Sequence, residues 1–273
     1  ELQVNVTDSD NAPIRDARVT ISEPETAINP NSPIERLETD VSGQTQIVDL
    51  NTPPLEYSLN ENNENMPYAN YNIQIEVPGY ETENIRNVEI LPDSLSLQNV
   101  RMRKREGEQV ENIDIDPHTL YAEYPEKIPE DEIKDVNEPG EIVLSRVVIP
   151  EYVVVHNGTP SSNARDYYVT YKDYIKNVAS SEIYATWPRA TIEANVLAIM
   201  SFTLNRVYTE WYRNKGKDFT ITSSTAYDHK WIRGRNVFDS ISRITDELFE
   251  NYLSRPNVRQ PILTQYCDGR RVQ

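Results

Sequence analysis

The chain has 273 residues, a hydrophobic content of 37% and a formal net charge of −17. This length accommodates about two domains, and the apolar content suffices for buried cores. The negative net charge argues against nucleic acid as a partner, because phosphate binding needs a basic surface. No run of the sequence approaches the roughly 20 apolar residues of a membrane-spanning helix.

Charge is distributed unevenly along the chain. The formal net charge is −10 for residues 1–105, −10 for residues 106–146 and +3 for residues 147–273. A short acidic segment therefore separates an acidic first part from a mildly basic last part. Because no run is long and apolar enough to span a membrane, we expect no membrane partner. The chain opens without the charged and then apolar pattern of a signal peptide, as a chain with a trimmed N-terminus also would.

The first part is rich in predicted strands. Apolar and polar residues alternate in runs that are bounded by turn signals such as Asn11-Ala-Pro13, Ser42-Gly43 and Pro78-Gly79. The predicted strands are 2–6, 17–21, 37–41, 45–50, 71–77 and 100–103. This spacing predicts a small β-sandwich over 1–105. It resembles the carboxypeptidase-regulatory and transthyretin-like domains, and without a catalytic constellation we interpret it as a structural or folding module.

Residues 106–146 have the composition of a linker or pro-segment. Prolines at 117, 125, 129 and 139 and many acids leave few aliphatic side chains to bury, so the segment is not expected to fold alone. Ile113, Ile115, Leu120 and Tyr121 are able to lie against a groove of the basic part of the chain. The alternative is a solvated spacer.

A helix is predicted after Thr170. Thr170 and Asp173 have the spacing of a capping box, and Ile175 and Val178 build one apolar face. Glu182 falls on that face at the C-terminal end of the helix. Burial and the negative end of the helix dipole both raise the pKa of a carboxyl, and a general acid requires a raised pKa. The alternative is that Glu182 lies in solvent at a frayed helix end or pairs with an arginine.

A second helix is predicted from Pro188 to Trp211. It is apolar on nearly every side, which is typical of a helix at the centre of a domain. Residues 219–228 follow as strand and loop, 237–252 as an amphipathic helix, and 262–266 as a strand before the Asp268-Gly269 turn. The fold class is thus α+β and multidomain, with a helix-rich domain over 147–273.

Other chemistries find little support in the sequence. His118, His156 and His229 fit no zinc spacing, and a Cys267 nucleophile with His229 is no better supported. There is no nucleophile elbow and no phosphate loop. We expect no metal and no cofactor.

One stretch resembles a known family. The run from Tyr174 through Glu182 to Trp187 and Pro188, followed by the long helix, is similar to the signature of the SpoIID/LytB family, and within it to the clostridial spore cortex-lytic enzymes. Residues 153–164, 224–228 and 265–271 are similar to the same group. Members of that family continue past the Asp268-Gly269 turn, so we expect this chain to be incomplete at its C-terminal end.

The resemblance implies a peptidoglycan lytic transglycosylase that acts on the spore cortex during germination, outside the cytoplasm. It implies a zymogen whose pro-segment is removed by a subtilisin-like protease near Arg146 and Val147, and it puts Glu182 at the position of the catalytic acid. Glu182 would protonate the glycosidic oxygen and then, as carboxylate, take the proton of the muramic C6 hydroxyl, giving a 1,6-anhydro product.

Four further residues are candidates for positioning sugar in the glycan strand: Tyr227, Asp228, Tyr266 and Asp268. The alternative function is a non-catalytic module of the same fold that binds the cell wall or enhances an amidase.

Overall fold

The computed structural model describes residues 1–25, 27, 31–105, 107, 110–128 and 144–264. Within these ranges the protein is a mixed α+β structure with three sheets. The chain divides into two compact units that do not follow chain order. The first comprises Glu1–Pro117, Tyr184–Trp187 and Ile232–Ser242, and the second comprises His118–Ile183, Pro188–Trp231 and Arg243–Gln273.

The first unit contains two sheets and one short helix. Its strands are β1 (Leu2–Thr7), β2 (Arg18–Ser22), β3 (Pro33–Glu38), β4 (Ala69–Glu76), β5 (Thr82–Ile90), β6 (Ser96–Arg101), β7 (Val110–Asp114) and β11 (Val237–Phe238), and its helix is α1 (Glu56–Leu59). One sheet has the order β1-β6-β11, and the other has the order β3-β2-β4-β5-β7. Strand β1 runs parallel to β6, β7 runs parallel to β5, and the remaining pairs are antiparallel.

A single apolar core joins the two sheets of this unit. Leu2, Val4 and Val6 of β1 belong to the same buried cluster as Val19 of β2 and Ile73 of β4. The alternating pattern buries every second residue, as the pleat of a strand requires. The predicted strands near 2–6, 17–21 and 71–77 are confirmed, with ends shifted by one or two residues.

Several parts of the first unit differ from the prediction. Strand β3 spans Pro33–Glu38 and not 37–41, because Asp40 accepts from the Ser42 N–H and opens a turn. Strand β6 spans Ser96–Arg101 and not 100–103.

Residues 45–50 form no ladder strand. The buried residues Thr45 and Val48 are three positions apart, so they do not follow the two-residue alternation of a strand. Val48 meets β1 through an isolated bridge to Leu2, and Thr45 exchanges hydrogen bonds with Val4 through its N–H and its hydroxyl. Strand β5 was not predicted, and its alternation is interrupted at Asn87, whose φ is 60°. A residue in this left-handed region belongs to a bulge, which shifts the inward side chains by one position.

The acidic stretch 106–146 contributes a strand that its composition did not predict. β7 pairs in register with β5, and Ile113 packs against the apolar core. The domain limits 1–105, 106–146 and 147–273 remain predictions, and the compact units cross them at β7 and at Ile232–Ser242.

The second unit contains a three-stranded sheet and two long helices. Its strands are β8 (Tyr152–His156), β9 (Asp166–Thr170) and β10 (Ile221–Thr222), in the order β10-β8-β9. Its helices are α2 (Tyr171–Glu182) and α3 (Arg189–Tyr208). A last helix, α4, spans Asp239–Leu248.

Both long helices begin where the sequence predicts. The Thr170 side chain accepts a hydrogen bond from the Asp173 backbone N–H, which satisfies one of the free donors of the first turn. Pro188 precedes α3, whose buried positions continue from Ile192 to Arg206. Within the described ranges, no helix combines the length and apolar character needed to cross a membrane.

Candidate active site

Glu182 is the last residue of α2, and its side chain is buried. Only 8% of the residue is exposed. The backbone N–H of Lys230 donates to Oε1 at 2.6 Å, whereas Oε2 has no hydrogen-bond partner among the described residues. One carboxyl oxygen is thereby fixed and the other is left to carry a proton.

The pKa of Glu182 is raised from 4.5 to about 7, and burial is the main cause. The Lys230 backbone hydrogen bond and the charge of Lys127 lower the pKa by smaller amounts. Desolvation outweighs these two effects because a buried carboxylate loses the hydration that stabilises its charge. A carboxyl with a pKa near neutrality is able to donate and accept a proton at physiological pH.

Tyr174, whose pKa is influenced by the Glu182 charge, contacts a second buried aromatic side chain, that of His229. Tyr174 Oη lies 3.3 Å from His229 Nδ1, and both side chains are buried. Burial, followed by the charges of Lys127 and Arg206, holds the pKa of His229 well below its usual range, so the imidazole is neutral. Burial first, and then the carboxylates of Asp228 and Glu182, raise the pKa of Tyr174.

Asp228 fixes the loop that brings Lys230 to Glu182. Its carboxylate accepts from Arg206 Nε at 2.8 Å and from Tyr212 Oη at 2.6 Å. The backbone N–H and the hydroxyl of Thr222 donate to Oδ2 at 2.9 and 2.7 Å. A carboxylate with this many internal donors has a positioning role, and sugar binding by Asp228 stays a prediction that this geometry does not favour.

The segment 118–128 lies against the end of α2 that carries Glu182. The backbone N–H and the hydroxyl of Thr119 donate to the Ser181 carbonyl at 3.1 and 2.9 Å. His118 Nε2 lies 3.3 Å from the carbonyl of Ile183. The segment is therefore bonded to the residues on both sides of Glu182.

The other end of the 118–128 segment is bonded to the loop that approaches Glu182. Lys127 Nζ donates to the Asp228 carbonyl at 2.5 Å, and the Ile128 N–H donates to the Ala226 carbonyl at 2.7 Å. Lys230 Nζ lies 4.6 Å from the ring centre of Tyr124. These contacts connect the segment to both elements that surround the carboxyl.

Of the five remaining predicted site residues, the structure describes three. Tyr227 is half-buried, and its carbonyl accepts a hydrogen bond from Arg206. Arg146 is exposed and Val147 is half-buried, which is compatible with access by a protease at Arg146. Tyr266 and Asp268, like Cys267, lie outside the described residues.

Sequence reasoning missed Lys127, Lys230 and Arg206. Lys230 acts through its backbone N–H, which no sequence pattern marks. Lys127 belongs to a segment that was interpreted through its acids. Arg206 carried a usable signal, because a charge within an otherwise apolar helix requires a buried partner.

The described residues contain one group of carboxylates close enough to share a cation, in the first unit. Glu81, Glu83 and Glu111 each bring a carboxylate oxygen within 4.8 Å of the others. Arg103 is paired with all three, and Arg233 is paired with Glu111. Because two arginines already pair with these three acids, the group is interpreted as an ion-pair cluster.

Comparisons with known proteins assign no family. No family model and no curated protein matches the chain. Among solved structures, transthyretin from Sparus aurata matches with 16% identity and a TM-score of 0.25, over 38% of this chain and 90% of that one. The 3-chlorocatechol 1,2-dioxygenase of Rhodococcus opacus 1CP has 14% identity and a TM-score of 0.25, over 38% of this chain and 59% of that one.

A streptococcal ancillary pilin is a third solved structure to which the chain is similar. It has 14% identity and a TM-score of 0.24, over 38% of this chain and 31% of that one. The chain spans only 16% to 59% of the length of the first structures it matches. TM-scores this low carry no argument about fold or function.

Proposed function

We propose that the chain belongs to the SpoIID/LytB family and is a peptidoglycan lytic transglycosylase of the spore cortex, with Glu182 as its acid and base. The single observation that carries the proposal is the buried Glu182 carboxyl at the end of α2, with a pKa of about 7, one oxygen bound to the Lys230 N–H and the other without a described partner. A general acid needs this combination of a held position and an available proton.

The chemistry requires one carboxyl group. Protonated Glu182 gives its proton to the glycosidic oxygen as the bond between muramic acid and glucosamine breaks and positive charge develops at the sugar ring. The resulting carboxylate takes the proton of the muramic C6 hydroxyl, whose oxygen closes the 1,6-anhydro ring. No second carboxylate is needed, because water is not the nucleophile. We expect glycan cleavage to fall as the pH rises above about 7.

The first unit is proposed to be a β-sandwich of the transthyretin-like type. Support comes from its two sheets, which share one buried core. The segment 106–146 is proposed to hold the enzyme inactive until a subtilisin-like protease cuts near Arg146 and Val147. The contacts of residues 118–128 with the peptide groups beside Glu182 and with the 226–230 loop support this role.

The proposal is tested with Glu182→Gln in protein that has been cut between Arg146 and Val147. The amide keeps the shape and an oxygen for the Lys230 N–H but has no proton to donate, so glycan cleavage should fall by at least about 100-fold. Mass spectrometry of digested cortex would show anhydromuramic ends for the parent protein and none for the variant.

The matched control is Glu193→Gln, which changes a solvent-accessible carboxyl on α3 and should leave cleavage unchanged. Anhydromuramic ends released by the Glu182→Gln variant at the parent rate would reject the role of Glu182. Intact glycan with every variant would instead support the non-catalytic wall-binding or amidase-enhancing module, and free stem peptides would indicate an amidase.

A further inference from the structure

A second group of reactive side chains lies in the loop between β8 and β9. His156 ends β8 and Asp166 begins β9, and the two residues are direct partners in the antiparallel ladder. His156 Nδ1 lies 2.6 Å from Asp166 Oδ1, and His156 Nε2 lies 3.1 Å from the hydroxyl oxygen of Ser162 in the connecting loop. The order carboxylate, imidazole, hydroxyl is the arrangement that activates a serine nucleophile.

The surroundings of His156 keep the arrangement in place. The imidazole is buried and stacks on Phe219 at 4.5 Å between ring centres, while Ser162 is exposed. The ring therefore has one fixed orientation, and the hydroxyl remains accessible from solvent. An oriented base beside an accessible hydroxyl is the requirement for nucleophilic catalysis.

Gly158 makes the approach of the hydroxyl possible. A Cβ placed on residue 158 would clash with Ser162 Oγ and would meet the Ala164 side chain at 3.0 Å. Glycine at this position thus permits Ser162 Oγ to lie within reach of His156. The contact gives a way to displace the hydroxyl without changing any of the three reactive groups.

The hydroxyl oxygen need not move to be activated. Ser162 donates to the Thr159 carbonyl at 2.7 Å, and His156 Nε2 is at 3.1 Å from the same oxygen. Rotation of the hydroxyl hydrogen about the Cβ–Oγ bond transfers the hydrogen bond from the carbonyl to the imidazole.

We propose that Ser162, His156 and Asp166 form a hydrolytic site for small carboxylic esters. Ser162 Oγ attacks the ester carbonyl carbon as its proton passes to His156 Nε2, and the carbonyl π pair moves to the oxygen. The tetrahedral intermediate collapses, the alkoxide leaves with the proton from Nε2, and the acyl group stays on Ser162. Water then attacks the acyl carbon with His156 as base, releasing the carboxylic acid and restoring the hydroxyl.

The test measures the reactivity of one serine. The protein is incubated with an alkyl fluorophosphonate, which phosphonylates an activated serine and releases fluoride, and the labelled peptide is located by mass spectrometry. We expect about one equivalent of label on Ser162 and none on Ser161, the adjacent exposed serine. Absence of label on Ser162, or labelling of both serines at the same slow rate, would overturn the proposal.

Variants separate activation from the simple packing of a loop. Asp166→Asn and Gly158→Ala should each lower the rate of labelling and of 4-nitrophenyl acetate hydrolysis by at least about 100-fold, and Ser161→Ala should leave both rates unchanged. Unchanged rates in Asp166→Asn would show that Ser162 is not activated by the imidazole. The inference is independent of the proposed glycan cleavage, because Ser162→Ala is expected to keep that activity.

Discussion

At the scale of single residues, the environment of Glu182 determines its chemistry. Burial raises the pKa of this carboxyl, and the Lys230 N–H and the Lys127 charge reduce the rise without cancelling it. The neighbouring Asp228 is also buried but donors surround its carboxylate, including the guanidinium of Arg206, whose side chain is fully buried. Two carboxyl groups of one unit are thus suited to different tasks, proton transfer for Glu182 and positioning for Asp228.

The raised pKa of Glu182 predicts a pH dependence of stability. A carboxyl that holds its proton more tightly in the folded chain destabilises the fold as it ionises, so the free energy of unfolding should fall as the pH rises from 4.5 to about 7 and stay lower above it. The loss is on the order of 3 kcal/mol. In the Glu182→Gln variant this fall in the free energy of unfolding should be absent. Urea unfolding at pH 4.5 and pH 8 measures the difference between the variant and the parent protein.

The matched comparison is again Glu193→Gln, whose side chain reaches solvent. This variant should lose as much stability between the two pH values as the parent protein. If Glu182→Gln loses the same amount as well, then the Glu182 carboxyl is not held protonated by the fold.

At the scale of elements, the segment 118–128 is bonded to the end of α2 and to the loop that carries Lys230. Its contacts include hydrogen bonds from main-chain and side-chain donors to backbone carbonyls, and a cation–π pair between Lys230 and Tyr124. Such contacts contribute about 1 kcal/mol each or less, so the covalent connections of the segment matter for its retention. A cut near Arg146 removes one of these connections and lowers the effective concentration of the segment at its site.

Weakening the segment should therefore increase activity. We predict that a cut between Arg146 and Val147 raises glycan cleavage, and that Tyr124→Ala raises it further by up to about fivefold, because Lys230 loses the aromatic ring beneath it. Initial rates of anhydromuropeptide release in cut and uncut protein provide the measurement.

Glu123→Gln changes an exposed side chain of the same segment and serves as the control, with no effect expected on the cut protein. Equal rates in the cut, uncut and Tyr124→Ala proteins would leave 106–146 as a spacer with no inhibitory role.

At the scale of the whole molecule, the order of residues along the chain differs from their grouping in space. Ile232–Ser242 belongs to the first unit, where β11 extends the sheet beside β6. Arg235 and Glu89 form a buried ion pair at 2.8 Å, and Asn236 bonds to both the N–H and the carbonyl of Glu89. Residues 147–273 therefore supply part of the core structure of the first unit.

This grouping predicts that protein cut between Arg146 and Val147 stays associated. The two fragments should elute together in gel filtration under native conditions and separate only in denaturant, because the β6–β11 pairing and the Glu89–Arg235 pair join them within the first unit.

Arg235→Met should weaken this association, since removal of one partner from a buried ion pair costs roughly 3 to 5 kcal/mol. The fragments of the cut variant should then separate at a lower urea concentration than those of the cut parent. Separation of the parent fragments in buffer alone would contradict the shared first unit.

The sequence by itself determined the local features of this protein. These features follow from interactions between residues a few positions apart. They include the start of α2 at Thr170, the start of α3 at Pro188, the position of Glu182 at the end of α2, and the alternation in β1, β2 and β4. Caps, periodicity and turns are encoded at that range, so a single sequence reveals them.

Only the tertiary structure decided which distant groups meet. Three such contacts depend on packing between segments far apart in the chain. They are the hydrogen bond from the Lys230 N–H to Glu182, the register of β7 beside β5, and the pairing of β11 with β6. The contact of Ser162 with His156 depends on the conformation of the β8–β9 loop and on the space left by Gly158. Such contacts are selected by the free energy of the whole fold, in which burial and cross-strand hydrogen bonds outweigh local preference, and the acidic composition of 106–146 therefore did not reveal its strand.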